Sequence, residues 1–393
     1  MSKLLNLLEN MCPNGVDYYY LWEITVWDKK FNSVDKAKQK KVVSYKYYLA
    51  NELQKMVRDN GTVKILTTNR SNIYTDIDLV EDDYSENEII AIPWGGNPIV
   101  QYYNGKFITA DNRIAIVLDR EKVNTKFLYY CLESQIDLIG SFYRGSGIKH
   151  PDMSKVLDLK VPVPPVEVQS EIVRILDNFT LLTAELTAEL TAELTVRKQQ
   201  YEYYRDKLLT FDIDIPKFKL KDIAEIGTGS HNTNEELQEG KYPFFVRSQD
   251  VRRLNTFDFD ETAIITSGDG VGVGKIFHYV DGKYALHQRA YRIKIIDTNI
   301  NPKYFYYYMK AMFFDYIQRT ALNSSVTSIR RPMLEQFQVP VPSIEIQNRL
   351  VYVLDNFDTV CSDFKIGLPA EIELSQKQYE YYRDKLLTFK ELE

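Results

Sequence analysis

Apolar residues between residues 166 and 211 follow one stripe with helical spacing. They occupy positions 172, 176, 179, 182, 186, 190, 194, 201, 204 and 208, with one slot skipped near Arg197. A spacing of about 3.6 residues predicts an amphipathic α-helix of about 40 residues, about 60 Å long. Pro164 and Pro165 mark its start, and no glycine interrupts it. Because a helix with one apolar stripe is not stable alone in water, this helix needs a partner.

The partner helix is predicted within the same chain, because the segment is duplicated. Residues 161–211 align without a gap with residues 339–389, and roughly half of the positions are identical. Residues 200–211 recur unchanged at 378–389, and a fainter match extends into the preceding segments. The chain therefore alternates variable domain, shared segment, variable domain, shared segment. We expect the two helices to pair in antiparallel fashion, with one variable domain at each end; a parallel pair is the alternative.

The predicted seam of this helix pair combines apolar and aromatic positions from both copies. Its members are Leu176, Phe179, Leu186, Leu190, Leu194, Tyr201, Tyr204, Leu208, Leu354, Phe357, Leu368, Tyr379, Tyr382 and Leu386.

The variable segments have the pattern of mixed α/β domains. Short β-branched and aromatic runs lie at 62–68, 88–94 and 112–118, and again at 242–248, 262–267 and 290–296. Glycine, Asn and Asp turn signals separate these runs, and helices are predicted at 125–140 and 302–321. The predicted fold class is α/β (α+β). Two mixed α/β domains, 1–160 and 212–338, are joined by two long helices, 161–211 and 339–393, which form an antiparallel coiled coil with a pseudo-two-fold internal repeat.

Charge changes this picture only through its distribution. The net charge of −6 argues against a nucleic-acid partner, yet residues 241–338 hold 14 Lys and Arg against 9 Asp and Glu. Residues 34–48 are also strongly basic, whereas residues 76–88 hold seven acids. Each basic run fits either a solvated face or a contact with nucleic acid. The three cysteines (Cys12, Cys131 and Cys361) are far apart, which indicates a reducing cytoplasm rather than disulfides or a zinc site.

The motifs do not indicate catalysis. Residues 267–277, SGDGVGVGKIF, resemble a phosphate-binding loop, but Asp269 stands where that loop needs glycine and Ile276 where it needs Ser or Thr. We therefore predict a glycine-rich turn between two strands. The chain lacks the loop typical of adenine methyltransferases. The four histidines are not spaced as metal ligands or as members of a nucleophilic triad.

Polar and basic loops recur at matched places in both variable domains, which favours binding of double-stranded DNA. Arg and Lys suit phosphates and guanine, and Asn and Gln suit adenine. Each loop taken alone fits an ordinary hydrogen-bonded turn equally well. The candidate DNA-binding residues are Lys38, Lys40, Lys41, Arg70, Asn72, Asn112, Arg113, Arg144, Lys149, Arg247, Gln249, Arg252, Arg253, Lys275, His287, Gln288, Arg289, Arg330 and Arg331.

Residues 183–194 repeat the phrase TAEL three times within the first helix. Four helical residues advance about 6 Å and turn about 400°, one turn plus about 40°. One base pair of B-DNA turns about 35°. Adding or removing one TAEL would therefore rotate a domain by nearly one base-pair step, although a rise of about 6 Å exceeds the 3.4 Å or so of one base pair. The hypothesis is that the repeat number sets a spacing along DNA; the alternative is a filler of good helix formers.

Taken together, the two divergent domains, the duplicated helices and the TAEL tract resemble the specificity subunit of type I restriction–modification systems. The resemblance covers essentially the whole chain. It rests on the VPVPP…Q…LDNF segments, QYEYYRDKLLTF, the TAEL tract and CPNGVDYYYLWEI (12–24). The stretches GDGVGVGK, HQRAYRI and VWDKKFNSVDKAKQKKV also look like parts of that family's target-recognition domains. The second shared segment departs from strict duplication, because residues 361–372 replace the TAEL tract.

The resemblance implies a protein without catalytic activity. Residues 1–160 and 212–338 would be target-recognition domains 1 and 2, each binding one half of a bipartite asymmetric site. Residues 161–211 would be the central shared helix and 339–393 the C-terminal one. The helix pair would set the spacer and dock two adenine methyltransferase subunits, and two ATP-consuming restriction subunits would join them. The chain would bind no cofactor, since S-adenosylmethionine, ATP and Mg²⁺ belong to the partners.

Two other interpretations compete with this one. A coiled-coil scaffold would explain the helices but not the matched basic loops. A DNA-binding half of a restriction enzyme of another type would need catalytic motifs if it were self-contained. We expect the protein in the cytoplasm of a bacterial or archaeal cell, without a membrane partner.

Overall fold

The computed structural model describes residues 2–81, 83–211, 215–320, 328–362 and 367–392. The chain forms two compact units: Met1–Thr187 with Leu374–Glu393, and Ala188–Glu373. Each unit combines one variable segment with parts of both shared segments.

The first variable segment contains short helices and ten strands. They are α1 (Ser2–Met11), β1 (Asp17–Tyr20), α2 (Leu21–Ile24), β2 (Thr25–Trp27), α3 (Ala50–Met56), β3 (Val63–Leu66), β4 (Tyr74–Thr75), β5 (Ser85–Pro93), β6 (Gln101–Thr109), β7 (Asn112–Val117), α4 (Thr125–Ser134), α5 (Ile136–Ser141), β8 (Tyr143–Arg144), β9 (His150–Pro151), α6 (Met153–Leu157) and β10 (Lys160–Val163).

The long helix α7 (Val166–Leu208) follows, 43 residues in one run. The rest of the chain is β11 (Lys217–Lys219), α8 (Leu220–Ile223), β12 (Ala224–Thr228), β13 (Tyr242–Phe245), β14 (Arg252–Leu254), β15 (Phe259–Ser267), β16 (Phe277–Leu286), β17 (Ala290–Ile295), α9 (Pro302–Thr320), α10 (Arg331–Gln336), β18 (Gln338–Pro340), α11 (Ile344–Ser362) and α12 (Leu368–Leu387).

The two variable segments have the same sheet topology. A six-stranded sheet has the order β2-β7-β5-β6-β3-β4 in the first and β12-β17-β15-β16-β13-β14 in the second. Neighbours are antiparallel, except that β3 and β13 run parallel to β6 and β16. A two-stranded sheet, β1 with β10 or β11 with β18, joins each variable segment to the start of its shared segment. These topologies confirm the mixed α/β domains and the internal repeat.

Each sheet buries one face against the helices that follow it. In the first unit Ile90 of β5 and Phe127 of α4 lie in one core with Ile172 and Leu176 of α7. In the second unit Ile264 of β15 packs with Phe305 and Phe313 of α9. Burial of a side chain of this size contributes about 1.5–3 kcal/mol. The start of each shared segment is thus part of the core rather than a linker.

The shared helices run antiparallel in each unit, as predicted. In the first unit the rings of Phe179 (α7) and Tyr382 (α12) are 6.2 Å apart, and the hydroxyl of Thr180 donates to that of Tyr379 at 3.0 Å. In the second unit Tyr201 of α7 lies 6.5 Å from Phe357 of α11. Just after the end of α7, Leu209 shares a buried cluster with Leu350 and Leu354 of α11. Residues with increasing numbers on α7 therefore contact residues with decreasing numbers on α12 in the first unit and on α11 in the second.

Most of the predicted seam positions are buried at least in part. The buried and partly buried members are Leu176, Phe179, Leu190, Leu194, Tyr201, Leu354, Phe357, Leu368, Tyr379 and Leu386. Tyr204 and Tyr382 are half exposed; Tyr204 stacks on Phe357, and Tyr382 makes an edge contact with Phe179.

Two seam positions and one helix boundary differ from the prediction. Leu186 is 44% exposed and Leu208 36%, and Leu209 is buried in place of Leu208. Because α7 ends at Leu208, the chain turns there and directs Leu209 into the core. In the described residues, the second shared segment contains two helices, α11 and α12, and Gly367 before α12 is not helical. Gly367 and Pro369 flank the start of α12, and proline suits the first turn of a helix.

An anchor fastens the first sheet domain to α7. The Asp177 carboxylate accepts hydrogen bonds from Lys126 Nζ and Tyr130 Oη of α4, both at 2.7 Å. Gln169, which is fully buried, accepts from the backbone amide of Asn124 at 2.8 Å. Since Asn124 caps the start of α4, one carboxylate and one amide fix that helix end against α7.

The second unit repeats this anchor with the equivalent residues. Asp355 accepts from Lys303 Nζ at 2.8 Å and from Tyr307 Oη at 2.5 Å. The buried Gln347 accepts from the backbone amide of Asn301 at 2.9 Å, just before α9. The same residue types thus make the same contacts in both units, although the rest of the two domains has diverged.

We predict that Gln347→Ala lowers the free energy of unfolding by about 2–3 kcal/mol. The substitution leaves the partly buried amide of Asn301 and the carbonyls of Asn299 and Pro342 without the Gln347 side chain as partner. Gln199→Ala, on the exposed side of α7, is the matched control and should change stability by less than about 0.5 kcal/mol. Urea denaturation of the full chain measures both. Equal effects of the two variants would mean that the anchor is not a structural element.

Candidate nucleic-acid interface

Each six-stranded sheet has a loop between its two central strands, at residues 94–100 between β5 and β6 and at residues 268–276 between β15 and β16. The second loop is the predicted glycine-rich turn, and the strands on either side of it are confirmed. Several candidate side chains lie around these two loops.

In the second unit an arginine pair is held by one carboxylate. Asp269, just after β15, accepts from Arg247 at 2.8 Å and from Arg289 at 3.1 Å. Arg247 follows β13 and Arg289 precedes β17, so three different strand ends bring these groups together. The Arg247 and Arg289 side chains stay 41% and 63% exposed. Partial burial opposes ionisation of Asp269, but hydrogen bonds and charge from both arginines outweigh it and hold its pKa below the usual value.

The glycines of this loop allow the arginine pair to form. A Cβ on Gly268 would lie 2.5 Å from the backbone oxygen of Arg289, so only glycine permits this approach. Gly270 has φ +89°, a backbone conformation that residues other than glycine rarely adopt. The tip residue between these glycines and β16 is Val271, which is fully exposed. An apolar side chain therefore projects into solvent two residues after Asp269, which holds the arginine pair.

His287 does not face solvent, which corrects its prediction as a DNA contact. Its side chain is buried, and Nδ1 accepts from the backbone amide of Arg289 at 3.0 Å. Burial, together with the nearby charge of Arg247, lowers the pKa of His287. The neutral ring then carries its proton on Nε2. The role that the structure supports for His287 is to orient the Arg289 backbone.

The other candidates of the second unit are exposed to different degrees. Gln249, Arg253, Gln288 and Arg330 lie at the surface, and Lys275 stands over the ring of Phe314. Arg252 pairs with Glu236, and Arg331 with Glu335. Gln288 follows His287 and lies beside Arg289, while Ile329, which precedes Arg330, donates its amide to the carbonyl of Gly268. Gln288 and Arg330 are therefore the candidates that the backbone brings nearest to the arginine pair.

The first unit has an aromatic loop at the equivalent place. Trp94 follows β5, and its ring lies 5.5 Å from that of His150, whose Nδ1 is 2.6 Å from the Trp94 carbonyl oxygen. The amide of Gly96 donates to the carbonyl of Lys149. Ile148 and Lys149 are exposed next to this loop. The first domain thus presents an apolar and basic surface where the second presents an arginine pair.

Asn112 and Arg113 are buried, which corrects their prediction as DNA contacts. The Arg113 side chain is 6% exposed, pairs with Asp28 at 2.9 Å and stacks on Trp94 at 4.8 Å. Its partner Asp28 also accepts from the hydroxyl of Tyr47, and burial raises the pKa of that tyrosine. The Asn112 amide donates to backbone carbonyls and to Thr109. Arg113 therefore supports the ring of Trp94, and Asn112 holds the end of β3 against β6.

The remaining candidates of the first unit are exposed, except for the half-buried Lys38, but several have protein partners. Arg144, like Lys149, lies on the segment beside the Trp94 loop. Lys38 pairs with Asp158, and Arg70 with Glu133. The side-chain oxygen of Asn72 accepts from Lys64, while Lys40 and Lys41 are exposed. Only Arg144 and Lys149 of this set share one surface with the central loop.

Sequence reasoning missed Trp94, Ile148, Asp269 and Val271 as members of these surfaces. The signal that could have identified them was the repeat itself, because 89–97 and 263–271 align as strand-to-loop junctions. An exposed aliphatic residue in a loop leaves no periodic pattern, and a carboxylate that holds two arginines resembles any acidic turn residue.

Metal and membrane sites are not indicated for the described ranges. Among those residues, no group of three or more His, Cys, Asp or Glu side chains could hold a metal ion. In the same part of the chain, no helix is both long and apolar enough to cross a membrane.

Comparison with known proteins agrees with the internal repeat. The family model described as the type I restriction modification DNA specificity domain matches twice, over residues 33–196 and 213–374. A type I restriction enzyme specificity subunit of Escherichia coli is 34% identical over 311 residues, covering 69% of this chain and 72% of that protein. A Haemophilus influenzae chain assigned to the same class is 31% identical over 339 residues, covering 79% and 86%.

A solved structure has the same fold. It comes from work on complex assembly and conformational transition of the type I restriction–modification system. The TM-score is 0.58 at 14% identity, covering 96% of this chain and 98% of that one.

We predict that Arg113→Ala lowers the free energy of unfolding by about 3–5 kcal/mol, because it leaves the buried Asp28 charge without its partner. Arg144→Ala, at an exposed position, should change it by less than about 0.5 kcal/mol. Urea denaturation of the free protein measures both variants. If Arg113→Ala left stability unchanged and weakened only DNA binding, Arg113 would be a contact residue after all.

Proposed function

Because this chain belongs to the family of type I restriction–modification DNA specificity subunits, we propose that each variable domain binds one half of a bipartite, asymmetric site in double-stranded DNA. The observation that carries this proposal is the pair of equivalent loops with different chemistry. The same sheet position presents Trp94 with Lys149 in one unit and Arg247 with Arg289 in the other. Two domains with the same sheet topology but different loop side chains are suited to two different half-sites.

The arginine pair supports recognition of a G·C pair by the second domain. A guanidinium group can donate two hydrogen bonds to O6 and N7 of guanine in the major groove. Asp269 holds both arginines in place before DNA arrives, so less side-chain entropy is lost on binding. The exposed Val271 next to them suits a thymine methyl group. In the first domain, Arg144 and Lys149 suit phosphates, and Ile148 offers an apolar contact.

The helix ends support docking of two copies of one partner. Residues 200–211 and 378–389 are identical, and their outward tyrosines are equally accessible: Tyr203 is 60% and Tyr381 61% exposed. Tyr204 and Tyr382 beside them are alike in the same way, at 46% each. Identical exposed residues in two diverged halves fit one type of partner bound twice. We assign these two surfaces to two adenine methyltransferase subunits, which restriction subunits would join.

Catalysis belongs to those partners in this proposal. S-adenosylmethionine would bind to the methyltransferase subunits, and ATP and Mg²⁺ to the complete complex, with no cofactor bound by this chain. A coiled-coil scaffold, or the DNA-binding half of a restriction enzyme of another type, is not favoured by the family match over both halves.

We predict that the chain co-expressed with its methyltransferase subunit directs methylation to one bipartite adenine motif. Arg289→Ala should relax base preference in one half-site only, because one lost guanine contact costs about 1–3 kcal/mol of discrimination. Lys221→Ala, an exposed cation on α8, is the control and should leave the motif unchanged. Sequencing of modified adenines gives the result. Methylation without a bipartite motif, or independent of this chain, would contradict the proposed function.

Deleting residues 183–186 should shorten the spacer between the half-sites by about one base pair and leave both half-sites unchanged. The physical reason is that four helical residues turn about 40° beyond one full turn, close to the twist of one base pair. Thr183→Ala keeps the helix length and should keep the spacer. The same methylome sequencing applies. Altered half-sites with an unchanged gap would show that the TAEL tract does not set the spacing.

A further inference from the structure

The two copies of the shared helix differ in what covers their first turns. In the first unit α1 packs against the start of α7. Leu4 lies in one buried cluster with Val168, Ile172 and Ile175 of α7, and Leu7 and Leu8 pack on that cluster. Lys3 also pairs with Glu171 at 3.0 Å, and only 1% of the Glu171 side chain is exposed. An amphipathic helix thus covers this face of α7.

The equivalent face of α11 is only partly covered, since Leu350 is buried with Tyr201 and Leu209 while other residues of that face remain exposed. The residues that correspond to Val168, Glu171, Ile172 and Ile175 are Ile346, Arg349, Leu350 and Val353. Ile346 is 46% and Val353 37% exposed, whereas their counterparts on α7 are buried. In the order of elements along the chain, α7 precedes β11 where α1 precedes β1.

An apolar groove continues this face. It has a volume of about 450 Å³ and lies between α7 and α11, within the second unit. Val353, Phe357 and Val360 form its apolar wall. Val353 belongs to both the helix face and the groove, so the two make one continuous surface. We call Ile346, Arg349, Val353 and Val360 with this groove the α11 face.

Charge distinguishes the α11 face from its covered counterpart. Glu171 is paired with Lys3 and Arg174, and their hydrogen bonds hold its pKa at about 2. The equivalent residue on α11 is Arg349, which is exposed. A second copy of α1 placed there would bring Lys3 against Arg349, which is unfavourable. A helix with a carboxylate at that position would pair with Arg349 instead.

We propose that the α11 face binds an amphipathic helix of a partner protein, with apolar residues at helical spacing and an acidic residue facing Arg349. The helix binds once per chain, because α1 already occupies the equivalent place on α7. This distinguishes it from the twin tyrosine surfaces, which occur twice. The proposal does not depend on which DNA sequence the variable domains bind.

The test uses a peptide with the sequence of residues 2–12, stapled to keep it helical and carrying Lys3→Glu. Binding to the full chain is measured by fluorescence anisotropy, with the unmodified Lys3 peptide as the matched control. The Lys3→Glu peptide should bind with 1:1 stoichiometry and about fivefold more tightly than the control, the scale of an exposed ion pair. The order of the two peptides should reverse on an Arg349→Glu chain.

Two further variants locate the site. Val353→Asp should abolish binding of the Lys3→Glu peptide, whereas Leu181→Asp, at an exposed apolar position of α7, should leave it unchanged. Hydrogen exchange should show protection at 346–360. Equal affinities of the two peptides, no binding, or protection at 168–175 would overturn the proposal. Self-association of the free chain that Val353→Asp abolishes would instead identify a second copy as the occupant, and would also overturn it.

Discussion

The rest of the structure depends on the anchor that each variable domain makes with its shared helix. Asp177 and Asp355 bind a lysine and a tyrosine of the helix that follows the sheet, and a buried glutamine fixes the start of that helix. Removing the buried glutamine leaves its backbone partners unpaired, which costs more than the hydrogen bonds contribute. The orientation of each sheet on its helix is therefore tightly defined. The TAEL tract lies between Asp177 and the part of α7 that packs in the second unit.

The two units of the chain share their framework and differ in the loops that it carries. The anchors, the sheet order and the helix ends are the same in both units, whereas the loops between the central strands differ in charge and shape. A framework that tolerates loop exchange can carry new recognition chemistry without rebuilding its core. The partly exposed α11 face is an exception to the repeat, because the described residues of the second unit contain no separate helix equivalent to α1.

The spacing of apolar residues and the repeat predicted the helices and strands well. Contacts between residues far apart in the chain explain the predictions that were wrong. The helical stripe, the gapless repeat and the glycine-rich turn led to α7, the antiparallel helices and the β15–β16 loop. Arg113 and Asn112 looked like surface residues because the partner Asp28 of Arg113 is 85 residues away in the chain. Likewise, His287 belongs to a polar cluster, and only the fold shows that its ring is buried. The start of α12 after Gly367, with Pro369 in its first turn, does not follow from the spacing of apolar residues alone.

The most direct test of the central claim, that each unit recognises its own half-site on a common framework, is a domain replacement. Residues 18–160 replace residues 217–338, since Tyr19 pairs with Val161 as Phe218 pairs with Val339. The measurement is sequencing of the adenines that are methylated when this chain is co-expressed with the proposed methyltransferase subunit. The expected motif consists of two copies of the first half-site in inverted orientation. An unchanged asymmetric motif, or loss of methylation by a chain that remains folded and bound to its partner, would contradict the claim.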